Sequence, residues 1–211
     1  MPSDHDRFAI LAPDDPRTIS RQDDLALAAA LVGETPLDDV EVAGARDDIL
    51  RFCAEHPGDD TTPSALYREC LAGHLTGSAF VVDATGTRTL LLHHGKLGLW
   101  LQPGGHADGD GNLAAVALRE AEEETGIEGL RVVVPAIDID IHAIPARPGE
   151  PAHLHHDLRF LVLAPPDAVV TISDESRDAR WATVDDPDIA GSEELTRAVT
   201  RALAVAATLI D

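Results

Sequence analysis

The chain has 211 residues, of which 44% are hydrophobic and 26% charged; this is the composition of a globular protein long enough for one domain with a substantial core. Its net charge of −22 repels phosphate backbones and anionic membrane surfaces. General nucleic-acid or lipid binding is therefore excluded, while a small anionic substrate screened locally by divalent cations is not. No apolar run is long enough to span a bilayer, and the opening "MPSDHDRFAILAPDDPR" is too acidic and proline-broken for a signal or transit peptide. The expected location is the cytoplasm.

Taken in chain order, residues 20–73 read as helical. "SRQDDLALAAALVG" has a Ser cap, early acids and a Gly stop, and "ARDDILRFCAEHPG" and "TPSALYRECLAG" follow, each closed by Gly or Pro-Gly. Cys53 and Cys70 form no CxxC and are expected to be buried, reduced thiols. The texture then changes: "SAFVVD" and "TRTLLLHH" read as strands joined by a Thr-Gly turn, and "GLWLQ" as a short strand entering Pro-Gly-Gly. A helix is expected from Asn112 to Glu124, capped by Asn112 or Asp110 and stopped at Gly126. Strands follow at "LRVVVPAIDIDIHAI", "HHDLRFLVLAP" and "DARWATV", and "GSEELTRAVTRALAVAATLI" closes the chain as an amphipathic helix. This alternation fits an α/β sheet flanked by helices.

The helix from Asn112 carries the densest chemistry. At about 100° per residue, Glu120, Glu123 and Glu124 continue the stripe of Leu113, Val116 and Ala117, whereas Glu122 falls on the opposite side. A merely solvated charge run avoids the apolar stripe, so the three acids are expected to face protein or a cleft. Adjacent carboxylates raise one another's pKa unless a cation sits among them. Crowded oxygen ligands suit Mg²⁺ or Mn²⁺ rather than zinc. The Gly-Gly turn ahead of the helix lets backbone carbonyls approach the same ion.

The stretch resembles the Nudix box: Gly, five residues, Glu, seven residues, Arg-Glu, an aliphatic, any residue, Glu-Glu, any residue, Gly, an aliphatic. Here it reads Gly105, then Gly111 in place of Glu, Arg119-Glu120, Ala121, Glu122, Glu123-Glu124, Thr125, Gly126-Ile127. Gly111 and the small Ala121 are the two departures, and Asp108 or Asp110 can stand in for the missing glutamate. "GHLTGSAFVVD", "LGLWLQPGGHADGD", "HLHHDLRFLVLA" and "ESRDARW" are similar, in the same order, to one sub-group of Nudix hydrolases. The resemblance implies an α/β/α sandwich with mixed sheet over residues 73–211, with residues 1–72 a helical extension packed on it. It implies hydrolysis of a nucleoside diphosphate linked to another group, with Mg²⁺ or Mn²⁺ as cofactor, a small nucleotide-type substrate as partner, and compatibility with a homodimer. By position, Glu120, Glu123 and Glu124 become metal ligands together with the Gly104 carbonyl, and Arg119 orients the glutamates. Glu175, ahead of Trp181, becomes a candidate ligand or general base. Alone, Arg119 also reads as a surface ion pair and Glu175 as a surface loop acid.

In "HLHHDLRF", strand alternation puts His153, His155 and Asp157 on one face and His156 on the other. Two histidines and an Asp suit either a transition metal or a substrate pocket, and His153, His155 and Asp157 are assigned to the pocket together with His106. His93 and His94 read as structural, and Trp100 as core. Two functions remain in view: a metal-dependent pyrophosphohydrolase, and a nucleotide-binding regulatory module that keeps the fold, to which Gly111 points. An isopentenyl-diphosphate isomerase needs a nucleophilic Cys before the Gly-His pair, where this chain has Gly104.

Overall fold

The computed structural model describes residues 7–36, 40–147, 149 and 151–210. Eight strands form one mixed sheet: β1 (Ala9–Leu11), β2 (Gly73–Val82), β3 (Thr89–His94), β4 (Trp100–Leu101), β5 (Gly104–His106), β6 (Arg131–Ile144), β7 (His153–Leu163) and β8 (Ser176–Ala182). Its main path runs β1-β6-β7-β2-β3-β4, with β5 paired to β2 and β8 to β3. At its centre β2 and β7 are parallel over ten residue pairs, from Gly73↔Leu154 to Val82↔Leu163. The remaining pairings are antiparallel.

Every residue of β2 is buried, as expected of a strand covered on both faces. Alternation divides it: Leu75, Ala79 and Val81 face one core with Leu158, Phe160 and Val162 of β7, while Phe80 and Val82 face the other with Leu161 and Leu163. The first core is closed by α1 (Leu25–Glu34), α2 (Val40–Glu55) and α3 (Leu113–Thr125). The second is closed by α4 (Pro187–Ala190) and α5 (Glu193–Leu209). The result is the expected α/β/α sandwich around a mixed sheet, with the N-terminal helices on the α3 side. No helix among the described residues is long and apolar enough to cross a membrane.

In α5, Ala198, Val199, Ala202, Val205 and Ala206 are buried, the i, i+1, i+4, i+7, i+8 spacing of a single face. Ser192 caps this helix by accepting from the Leu195 N–H, and Glu193 and Glu194 lie in its first turn, where the helix dipole favours negative charge. Helix α3 begins at Asn112, which accepts from the Ala115 N–H, and ends at Gly126 in the left-handed conformation at φ 62°.

Three expectations change. "TPSALYRECLAG" forms turns, not a third helix. Its backbone groups are spent on distant partners: the Ala65 N–H donates to the His56 carbonyl at 2.9 Å, the Leu75 N–H to the Ala65 carbonyl at 2.8 Å, and the Gly109 N–H to the Leu66 carbonyl at 3.0 Å. The first helix is capped by Asp24, which accepts from the Leu27 N–H, rather than by Ser20, and it runs past Gly33 to Glu34. The N-terminal segment also adds a strand, β1, to the edge of β6. Cys53 and Cys70 are buried and free, and burial pushes the Cys53 thiol up to about 11.

The N-terminal segment is stitched to the loop ahead of α3. The Gly111 N–H donates to the Arg21 carbonyl at 2.8 Å and the Asp23 N–H to the Gly109 carbonyl at 2.7 Å. The Arg21 N–H donates to Asp110 Oδ1 at 2.8 Å, and Asn112 Nδ2 donates to the carbonyls of Arg17 and Ile19, both at 2.9 Å. A Cβ at Gly111 meets the Asp24 carbonyl oxygen at 1.9 Å. The position that holds glutamate in the Nudix box is thus filled here by another stretch of backbone. Gly111→Glu is expected to lower stability by about 2–3 kcal/mol, as overpacking does; a urea denaturation midpoint equal to that of the parent would contradict this.

Candidate active site

Helix α3 lays its carboxylates along β5. The close approach requires glycine, because a Cβ on Gly105 would lie 2.5 Å from the Glu120 carboxylate. Glu120, Glu122 and Glu124 are half-buried while Glu123 is exposed, so the stripe of Glu120, Glu123 and Glu124 runs from the core out to the surface. Burial first, then the charges of Glu120 and Glu175, push Glu124 up to about 8, opposed by a hydrogen bond with the Gly104 backbone. Burial also raises Glu120, against the neighbouring Arg119. Glu122 is raised by burial and by Glu123. The loop carrying Glu175 is tied to the end of α3, since the Thr171 N–H donates to the Thr125 carbonyl at 2.7 Å and the Ser173 N–H to the Glu124 carbonyl at 3.2 Å. Gly104, Arg119, Glu120, Glu123, Glu124 and Glu175 therefore come to one place.

Arg119 lies 3.2 Å from Glu120 and 3.6 Å from Asp110 Oδ2. Asp110 is buried, and its Oδ1 accepts the N–H groups of Arg21 at 2.8 Å and Asn112 at 2.9 Å. Asp108 pairs instead with Arg68. Of the two acids that can replace the missing glutamate, Asp110 is the one that reaches the arginine.

The histidines gather on the face of β2 and β7 turned away from α3. His153 and His155 share a face of β7, while His156 is on the other and stacks on Phe52 at 4.0 Å, as alternation requires. His106, on β5, lies 5.1 Å from the His155 ring. Sequence reasoning missed His74, whose ring lies 4.8 Å from those of His153 and His155 and 4.9 Å from that of His106. It also missed His142, 5.3 Å from His155 and bonded to Asp140 at 2.9 Å. The alternating Asp138, Asp140 and His142 of "DIDIHA" was the signal available for the latter. Burial and the surrounding histidines lower His74 to about 4, so its ring is neutral at physiological pH. The Cys70 carbonyl favours the protonated form weakly without reaching hydrogen-bond geometry.

Asp157 sits deeper than an open pocket face, at 1% exposure. Its Oδ1 accepts the hydroxyls of Thr76 at 2.7 Å and Ser78 at 2.9 Å, and its Oδ2 pairs with Arg159 at 3.2 Å. Arg159 also meets Asp138 at 3.2 Å and Asp140 at 2.9 Å, and Arg197 of α5 reaches Asp138 at 3.3 Å. His93 stacks on Trp100 at 5.0 Å. Trp100 is half-buried rather than fully in the core, with the Arg180 guanidinium 4.1 Å from its ring centroid.

A carboxylate-bearing helix laid on a glycine-rich strand inside this sandwich is the arrangement that the Nudix resemblance implies. The family model described as NUDIX domain matches residues 74–203, and the chain belongs to the Nudix family. Among solved structures, an Ap4A hydrolase of C. elegans in a binary complex is similar at 23% identity, over 63% of this chain and 97% of that one, with a TM-score of 0.51. A NUDIX-family hydrolase of Clostridium perfringens matches at 21% identity over 64% and 97%, TM-score 0.44. The E. coli dihydroneopterin triphosphate pyrophosphohydrolase matches at 16% over 62% and 91%, TM-score 0.44. No curated protein matches the chain in sequence.

The crowded carboxylates have a measurable consequence. The folded Glu124 titrates near 8 against an ordinary 4.5, so the folded state holds an extra proton between those values. The corresponding stability is present below about pH 4.5 and is lost as pH rises through about 8. In the presence of a chelator, the thermal midpoint is expected to fall across that window, and Mg²⁺ or Mn²⁺ to reverse the fall. A chelated protein whose midpoint does not change with pH, or whose slope survives in Glu124→Gln, would contradict it.

Proposed function

We propose that the protein is a divalent-cation-dependent hydrolase that cleaves the pyrophosphate bond of a nucleoside diphosphate joined to another group. The observation that carries this reading is the packing of Glu120, Glu123 and Glu124, with Glu175 alongside, around the backbone of Gly104 and Gly105. The donors are all oxygens, and burial and mutual repulsion hold two of the glutamates protonated more readily than usual. Such a set fits Mg²⁺ or Mn²⁺. Glu120, Glu123 and Glu124 would hold the ion, joined by the Gly104 backbone. Bound there, a dication lowers the pKa of water and neutralises charge developing on the phosphoryl oxygens.

The chain's own groups do the rest. Asp110 holds Arg119, and Arg119 in turn orients Glu120. Glu175, exposed and within electrostatic reach of Glu124, takes the proton of the attacking water. The water oxygen forms the new bond to phosphorus, and the bridging oxygen departs with the second phosphate. His106, His153 and His155 line the substrate side of the cleft, and Asp157 braces it from beneath. Residues 73–211 constitute the hydrolase unit and residues 1–72 an extension packed against it.

Gly111 motivates the second reading, a nucleotide-binding module without turnover. The Asp110–Arg119 pair favours the enzyme, because the arginine keeps a carboxylate partner despite the missing glutamate. Incubation with Mg²⁺ or Mn²⁺ and a panel of ADP-ribose, NADH, diadenosine polyphosphates, nucleoside triphosphates and nucleotide sugars separates the two. Turnover of one class is expected, falling roughly a hundredfold in Glu123→Gln, at least the loss that follows removal of an outer-shell metal partner. Calorimetric binding of a nucleotide with no turnover across the panel would establish the module instead.

A further inference from the structure

A group of side chains outside the carboxylate cluster has the composition of a metal site. Parallel pairing of β2 with β7 sets His74 beside His155, and alternation brings His153 to the same face. One ring nitrogen from each of His74, His153 and His155 lies within 4.8 Å of the others. His153 Nε2 and His155 Nε2 are 3.3 Å apart, matching the edge of about 3.3 Å in a tetrahedron of metal–nitrogen bonds near 2.0 Å.

The surroundings point the same way. His153 Nδ1 is 2.9 Å from the Pro151 carbonyl, which places the proton on Nδ1 and leaves the Nε2 lone pair directed at His155. This is the backbone contact that typically orients a ligating imidazole. His74 is 1% exposed, and neither of its ring nitrogens has a hydrogen bond. Buried polar side chains are ordinarily partnered, and apart from the weak influence of the Cys70 backbone the described residues offer the His74 ring nitrogens no hydrogen-bond partner. His106 stands 4.9 Å from His74 and 5.1 Å from His155 as the neighbouring fourth imidazole.

We propose that His74, His153 and His155 form a second metal site, separate from the carboxylates, for a transition-metal dication of the zinc class. Imidazole donors suit Zn²⁺, Cu²⁺, Ni²⁺ or Fe²⁺, whereas Mg²⁺ takes oxygen ligands. The two sites thus differ in the ion they select. They are joined by β5, which carries Gly105 against Glu120 and His106 against the histidines. None of its donors is a carboxylate assigned to the anhydride chemistry, and His153 and His155, read above as lining the substrate side of the cleft, would there present a cation to the substrate.

The test is metal binding by the full chain, stripped with a chelator and titrated with Co²⁺ in excess Mg²⁺. One equivalent is expected to give the intense visible absorption of a tetrahedral, nitrogen-ligated ion. That absorption should survive in Glu123→Gln, and the affinity should fall at least tenfold in His155→Asn and in His74→Asn. Should these variants fail to fold, one equivalent of Zn²⁺ added to the parent protein should shift the imidazole ¹⁵N resonances of His74, His153 and His155. The proposal is overturned if the absorption is absent, if it disappears in Glu123→Gln but persists in His155→Asn, or if those ¹⁵N resonances do not move.

Discussion

The parallel pairing of β2 with β7 is the constraint from which the remainder of the molecule is organised. Ten consecutive residue pairs fix the two strands, and a slip of one residue would turn the side chains of the slipped strand to the wrong face. In the observed register, Phe80 and Val82 align with Leu161 and Leu163 under α5. On the same face, the preceding residues His74, Thr76 and Ser78 align with His155, Asp157 and Arg159. One strand pair therefore supplies an apolar half that helices cover and a polar half that they leave to chemistry. The polar half is braced by Arg159, which holds Asp138, Asp140 and Asp157 at once. Removing one partner from such a buried network leaves an uncompensated charge, a loss of about 3–5 kcal/mol.

The carboxylate site was legible in the sequence because it lies within one helix and the turn before it. Spacing alone told which glutamates share a stripe, and Asn112 and Gly126 marked the ends of α3 to within a residue. The central strands were legible through alternation. The segment at residues 62–72 was not, because its helical pattern competes with hydrogen bonds to His56, Leu75 and Gly109 that no local window contains. His74 was invisible for the same reason: only the pairing of strands far apart in the chain sets it beside His155. The choice between Asp108 and Asp110 likewise depended on where Arg68 and Arg21 arrive from elsewhere.

Two kinds of donor thus meet across a three-residue strand. At one end of β5 the backbone of Gly104 and Gly105 takes up crowded carboxylates, and at the other His106 joins a group of imidazoles. The strand tolerates no side chain at its first two positions: a Cβ on Gly104 would press into Ser78 and one on Gly105, on the other face, into Glu120. The sequence Gly-Gly-His is therefore a division of space, with room granted to neighbouring side chains at two positions and a side chain offered at the third.

The backbone that occupies the Gly111 position also bears on how the chain can change. Because the Asp24 carbonyl fills the volume where a side chain would begin, a glutamate at 111 and the present path of the N-terminal segment exclude each other. Neither can be altered singly without damage; restoring the glutamate requires the segment to leave, and removing the segment bares the loop that it ties at Gly109 and Gly111. Gly111 and the path of the segment are therefore coupled, and with both in place Asp110 is the carboxylate ahead of the helix that meets Arg119.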